Sequence, residues 1–180
     1  HCIIEKPFTT DKKNAKKIAR KAHRKELIIM CAQHQRFRPE SLLLKSRIDS
    51  GELGEIYHVN VEAMASRGVP IQVANSFTDK RFSGGGPLID QGAHGIDIAW
   101  WFMGCPAPVS AFAVAYDGVA PKTGTTKSGS AWDVYNVEDF ATGIIRFKNN
   151  KSITIRTSYF SNCAEDNFSC EVLGTRGGVT

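Results

Sequence analysis

Residues 84–104 read Gly84-Gly85-Gly86-Pro87-Leu88-Ile89-Asp90-Gln91-Gly92-Ala93-His94-Gly95-Ile96-Asp97-Ile98-Ala99-Trp100-Trp101-Phe102-Met103-Gly104. Pro87 suits the first helical position, and Gly104 with Pro106 just beyond marks a stop, so the pattern predicts a helix from Pro87 to Met103. Asp90, His94 and Asp97 recur at i, i+4 and i+7 and therefore share one face near the helix's N-terminal end. A carboxylate one turn from an imidazole suits proton transfer near neutral pH, because a neighbouring negative charge raises the histidine pKa and orients the ring. The rest of the helix is strongly apolar, so the carboxylate–imidazole pair reads as facing a cleft rather than as part of a solvated stripe. Three ligands at this spacing could also hold a metal. That alternative is weaker, since the chain has no HExxH and no Cys/His cluster at zinc spacing.

Upstream of this helix the hydrophobic pattern alternates between strand and helix. Cys2-Ile3-Ile4 reads as the end of a buried strand, and Thr9 or Thr10 can cap a basic helix running to about Lys25. Leu27-Ile28-Ile29-Met30-Cys31-Ala32 is a continuous apolar run, as expected of a strand buried on both faces of a parallel sheet. Strand, helix and strand form one βαβ unit. A helix is predicted from Pro39 to about Ser50, ended by Gly51 and Gly54. In Glu55–Ala65 the period becomes two, which predicts a strand. Residues 66–86 read as irregular loop.

Downstream, strands are predicted at Ser110–Tyr116, Asp139–Phe147, Ser152–Ser161 and Ser169–Leu173, with Asn149-Asn150 as a hairpin turn. Residues 117–132, rich in Gly, Thr and Ser, read as a mobile loop.

Composition bounds the function classes. The 180 residues are 42% hydrophobic and 23% charged, ordinary for a globular protein, with no run near the ~20 apolar residues of a membrane span. The net charge of +5 is concentrated in residues 11–26, which carry +6 by themselves. Ala15, Ile18, Ala19 and Ala22 recur there at helical spacing and no aromatic residue is interleaved for base stacking, so the basic run reads as a solvated helix face, not a nucleic-acid site. Five scattered cysteines without a CxxC pair fit reduced thiols in a cytoplasmic protein. The chain begins at His1, directly on an apolar run and without a signal-like segment, and so reads as a piece of a longer protein.

Glu5-Lys6-Pro7 stands at the carboxyl end of the first strand, where ligands bind in open α/β sheets, and Pro7 restricts Lys6 to extended geometry with a cis peptide allowed. Together with HQRFRP at 34–39, GELGEI at 51–56, the block at 84–104 and VEDFATGIIRF at 137–147, this resembles the Gfo/Idh/MocA family of NAD(P)-dependent oxidoreductases across essentially the whole chain. The resemblance implies an α/β protein in two parts. Residues 1–34 would be the end of a dinucleotide-binding Rossmann domain. Residues 35–180 would be a substrate-binding and oligomerisation domain with a large, open, mainly antiparallel sheet and helices on one face.

The same resemblance implies the chemistry. Lys6, Asp90 and His94 would be catalytic, with a substrate alcohol losing its proton to His94 while hydride passes to NAD or NADP. Lys6 would stabilise charge on the reacting oxygen, and Asp90 would orient substrate and tune the histidine. Glu5, Lys6 and Pro7 would touch the cofactor; Gln35, Asn75 and Tyr159 would contact a sugar, polyol or inositol-type substrate. Asp97, a turn deeper, would be a structural partner, and the open sheet would pair copies into a homo-oligomer. A hydrolase of the same family using NAD transiently, and a non-catalytic sugar sensor, are the alternatives. The family's GxGxxG has no match in residues 1–180.

Overall fold

The computed structural model describes residues 1–69, 76–120, 124–125, 131–132 and 134–180. It opens on β1 (Cys2–Glu5), α1 (Lys12–Arg24) and β2 (Ile29–Ala32), with β1 and β2 paired in parallel. Asp11, rather than Thr9 or Thr10, caps α1: its Oδ1 accepts the Asn14 amide at 2.9 Å, while the Thr9 hydroxyl donates to the Asp11 carbonyl. At the other end Glu26 turns left-handed (φ 52°) and the Leu27 amide folds back onto the Ala22 carbonyl. This takes Leu27 and Ile28 out of the strand that the apolar run predicts. Nor is that strand buried on both faces, because among the described residues only β1 pairs with it, and Ile28 and Met30 are exposed.

A turn of 3-10 helix (His34–Phe37) leads into α2 (Pro39–Asp49), which ends at Gly51 and Gly54, both left-handed. Then follow β3 (Ile56–Met64), the short α3 (Lys80–Ser83) inside the stretch read as loop, and α4 (Pro87–Phe102). The chain continues with β4 (Pro108–Tyr116), β5 (Gly124–Thr125), β6 (Ala131–Trp132), β7 (Phe140–Phe147), β8 (Ser152–Ser158), β9 (Asn167–Gly174) and β10 (Gly178–Val179). The paired dipeptides β5 and β6, and β10, are too short to show a period in the sequence.

Six strands form the main sheet in the order β10-β9-β3-β8-β7-β4, antiparallel except for β3 against β8. The β7–β8 hairpin turns on Asn149 and Asn150, both at positive φ (61° and 58°), a conformation asparagine tolerates. Alternation sends Val59, Val61, Ile153, Ile155 and Val172 to the face under α4, where they are fully buried, each contributing about 1.5–3 kcal/mol of hydrophobic free energy. His58, Asn60, Glu62 and Arg156 take the opposite face. No helix among the described residues is long and apolar enough to cross a membrane.

Two glycines fix how closely α4 lies on this sheet. A Cβ at Gly95 would stand 2.2 Å from Val61 Cγ1, and one at Gly92 would meet Leu88 and Ile155 at 3.0 and 3.3 Å. Gly95→Ala is therefore expected to lower unfolding free energy in urea by about 1–3 kcal/mol, the cost of overpacking a close contact. Gly118→Ala, with nothing within 4 Å of its Cβ position, should stay within about 0.5 kcal/mol of the parent. Equal stabilities for the two variants would show that the helix has room to lift.

Candidate functional site

Three elements converge on the first two turns of α4. From the end of β1, Lys6 precedes a cis Lys6–Pro7 bond and sends its ammonium to Asp90, pairing with Oδ1 and donating to the Asp90 carbonyl at 3.1 Å. From beyond β8, the Tyr159 hydroxyl donates to Asp90 Oδ2 at 2.8 Å. Both carboxylate oxygens are thus engaged, and neither is used on His94. Tyr159 is 0% exposed, so its ring reaches Asp90 from inside the core. Burial, reinforced by the charge of Asp90, pushes its hydroxyl pKa up, keeping it a proton donor.

His94 lies one turn further along α4 and is 8% exposed. Its ring meets His34 edge-on, centroids 4.6 Å apart, and its Nδ1 is buried with no hydrogen-bond partner. The sequence reading predicts a raised histidine pKa; the structure lowers it. Burial penalises the imidazolium most, the Lys6 charge and the His34 ring act in the same direction, and Asp90 and Glu5 oppose them without prevailing. A depressed pKa keeps the imidazole neutral, and so able to accept a proton, below as well as at neutral pH.

Asp97 takes a separate role. Arg36 grips it with two bonds, Nε to Oδ2 at 2.7 Å and Nη2 to Oδ1 at 2.6 Å, and the guanidinium also stands over Trp101. This fork ties the 3-10 helix after β2 to α4 and holds His34 beside His94. The remaining candidates scatter. Glu5 is exposed and accepts the Lys6 amide; Gln35 is half-buried with its amide nitrogen 3.4 Å from His34 Nε2; Asn75 lies outside the described residues.

One functional-site residue carries no signal of its own in the sequence. The N-terminus of α4 is capped by Gly86, which has no side chain to offer, and the missing carboxylate comes from Glu138, just before β7. Its oxygens accept the Gly86 amide at 2.8 Å and the Leu88 amide at 3.2 Å. Only its place beside Asp139 in VEDFATGIIRF, at the entry to a strand, hints at it.

The electrostatic account is testable at His94. In Lys6→Met the cation that opposes protonation is gone and Asp90 is left without its ion-pair partner, so the His94 pKa should rise relative to the parent in an NMR titration. An unchanged or lower value would remove Lys6 from the site's electrostatics.

The family model described as the GFO/IDH/MocA C-terminal domain matches residues 42–180. D-glucoside 3-dehydrogenase of Escherichia coli (strain K12) is 31% identical over 183 residues, covering 100% of this chain and 51% of that protein. Among solved structures, a levoglucosan dehydrogenase in complex with NADH superposes with a TM-score of 0.81 at 22% identity, over 99% of this chain and 46% of the other. GenD2 from gentamicin A biosynthesis, in complex with NAD, gives 0.80 at 22% identity, over 98% and 46%. The chain spans about half the length of these relatives. With its mainly antiparallel sheet under α4 and a family match over most of its length, the chain belongs to the GFO/IDH/MocA family.

Proposed function

We propose that this chain is the catalytic half of an oxidoreductase that moves a hydride between NAD or NADP and a CH–OH group of a sugar or polyol. The observation that carries the reading is the ion pair of Lys6 with Asp90, one helical turn before His94, where the carboxyl end of β1 abuts α4. Relatives named for glucoside and levoglucosan oxidation support the substrate class.

The residues present fit the reacting end of a nicotinamide dinucleotide. Glu5, Lys6 and Pro7 close a parallel βαβ unit at the end where such folds bind ligands. Beside them a cleft of about 500 Å³ is lined by Pro7, Cys31, Gln33 and Phe37, and the buried Gln33 Oε1 there has no partner, as an acceptor reserved for a ligand donor would. Residues 1–34 in this reading close the dinucleotide-binding domain. When bound, the nicotinamide supplies the hydride acceptor or donor.

The chain's own residues handle the proton and the charge. A neutral His94 takes the hydroxyl proton as the alcohol is oxidised and returns it in the reverse direction. An ammonium has three donors. Lys6 spends two on Asp90, and the third is directed to the reacting oxygen, where it stabilises developing negative charge. Asp90 fixes that ammonium, and Tyr159 fixes Asp90. Tyr159 in this arrangement positions the site rather than binding substrate, while Gln35 and Asn75 supply substrate contacts.

A second copy of the chain covers the outer sheet face. Phe112, Tyr116 and Ile144 on β4 and β7 are exposed there, Phe112 by 71%, forming an apolar strip of the kind that marks an interface. Phe112→Glu is expected to shift the sedimentation mass toward the monomer; an unchanged mass would place the interface elsewhere.

In the full-length protein, His94→Ala is expected to lower kcat by roughly 10²-fold or more. Lys6→Met should damage kcat more than cofactor affinity. Stoichiometric accumulation of NADH or NADPH with an oxidised sugar distinguishes this reaction from a hydrolysis that regenerates its cofactor, and near-normal turnover without His94 would defeat the assignment.

A further inference from the structure

We propose that Glu138 is a positioning residue that sets the reacting turn of α4. The proposal rests on the functional reading above for its catalytic consequence, and on geometry alone for its structural part. Asp90 is the fourth residue of α4, and its amide makes one of the first bonds of the helix, to the Gly86 carbonyl at 3.1 Å. Whatever fixes Gly86 therefore fixes Asp90. Glu138 does so from both sides of its carboxylate, through the Gly86 and Leu88 amides, and its anion faces the positive end of the helix dipole.

Close packing backs this brace. A Cβ at Gly86 would fall 2.4 Å from the Glu138 carbonyl oxygen, so the backbone leading into β7 and the helix start are in direct contact. The next residue extends the brace to Asp90's other partner. The Asp139 carbonyl accepts the Tyr159 amide at 2.8 Å, while the Asp139 carboxylate, fully buried, takes the amides of Val119 and Ala120. One dipeptide at the entry to β7 thus locates Asp90 through the helix terminus and Tyr159 through its backbone. Lys6 is then met by a carboxylate already held in place.

The test compares Glu138→Ala, Glu138→Gln and a core variant, Ile153→Val, chosen to lower Tm without touching the site. In the full-length protein, amide exchange in a peptide covering residues 84–90 should rise about tenfold or more in Glu138→Ala, as the loss of two charge-assisted bonds implies. In the same variant kcat should fall about tenfold or more, with the dinucleotide KM within about twofold. Glu138→Gln keeps one acceptor and should recover part of both effects. Ile153→Val should leave kcat within about twofold of the parent, as expected for a conservative change remote from the site. Unchanged exchange at 84–90 in Glu138→Ala, or a kcat loss no larger than that of Ile153→Val at matched Tm, overturns the proposal. If no variant, the parent included, oxidises a sugar with NAD or NADP, the functional reading fails, while the exchange data still decide the role of Glu138.

Discussion

The backbone of α4 rests on the side chain of Val61, with nothing larger than a hydrogen at Gly95 between them. Everything at the site follows from that separation. Because the helix lies this close to β3 and β8, its first turn comes within reach of a tyrosine rising from the sheet and a glutamate entering it. Its second turn holds an imidazole at the edge of the core. A helix standing one methyl further out would leave Tyr159 short of Asp90, and a hydroxyl buried without a partner is costly.

The charged contacts give orientation more than stability. Lys6 and Asp90 are each only about one-seventh exposed, and charges taken that far out of water recover the desolvation cost only when geometry and further hydrogen bonds are good. Here the extra bonds are present: the Asp90 carbonyl, the Tyr159 hydroxyl and the Arg36–Asp97 fork three residues beyond His94. Together they lock the βαβ unit and the 3-10 helix that follows it to α4 at two points about two turns apart, and the two imidazoles there are held at a set distance. The depressed proton affinity of His94 is a product of this assembly and not of its sequence neighbours.

Local signals explain what could be read from the residues alone. The period-two pattern of β3, the proline and glycine that bracket α4 and the alternating βαβ start all act within a few residues, and each element stands within a few residues of its predicted place. What could not be read acts at a distance. Asp90 one turn before His94 predicts a raised pKa, but the burial that reverses it and the Lys6 charge arriving from 84 residues away leave no mark on the helix sequence. The resemblance implies a substrate contact at Tyr159, and how deeply that residue is buried depends on the packing of β8, which no local pattern records. Glu138 reaches Gly86 across 52 residues, and a carboxylate beside a strand has no local feature that names a distant helix as its target.

The one parallel pairing in the main sheet has a consequence for how the chain is made. His58 on β3 sits opposite Ser152 on β8, 94 residues later, and β3's other neighbour, β9, lies further along still. During synthesis β3 is the first strand of this sheet to appear, and it has both of its partners only once β9 has emerged. Loop closure over such spans slows folding, and an apolar strand with two open edges attracts other chains. From the emergence of Val59 to that of Val172 at least one edge of β3 therefore stands without its partner.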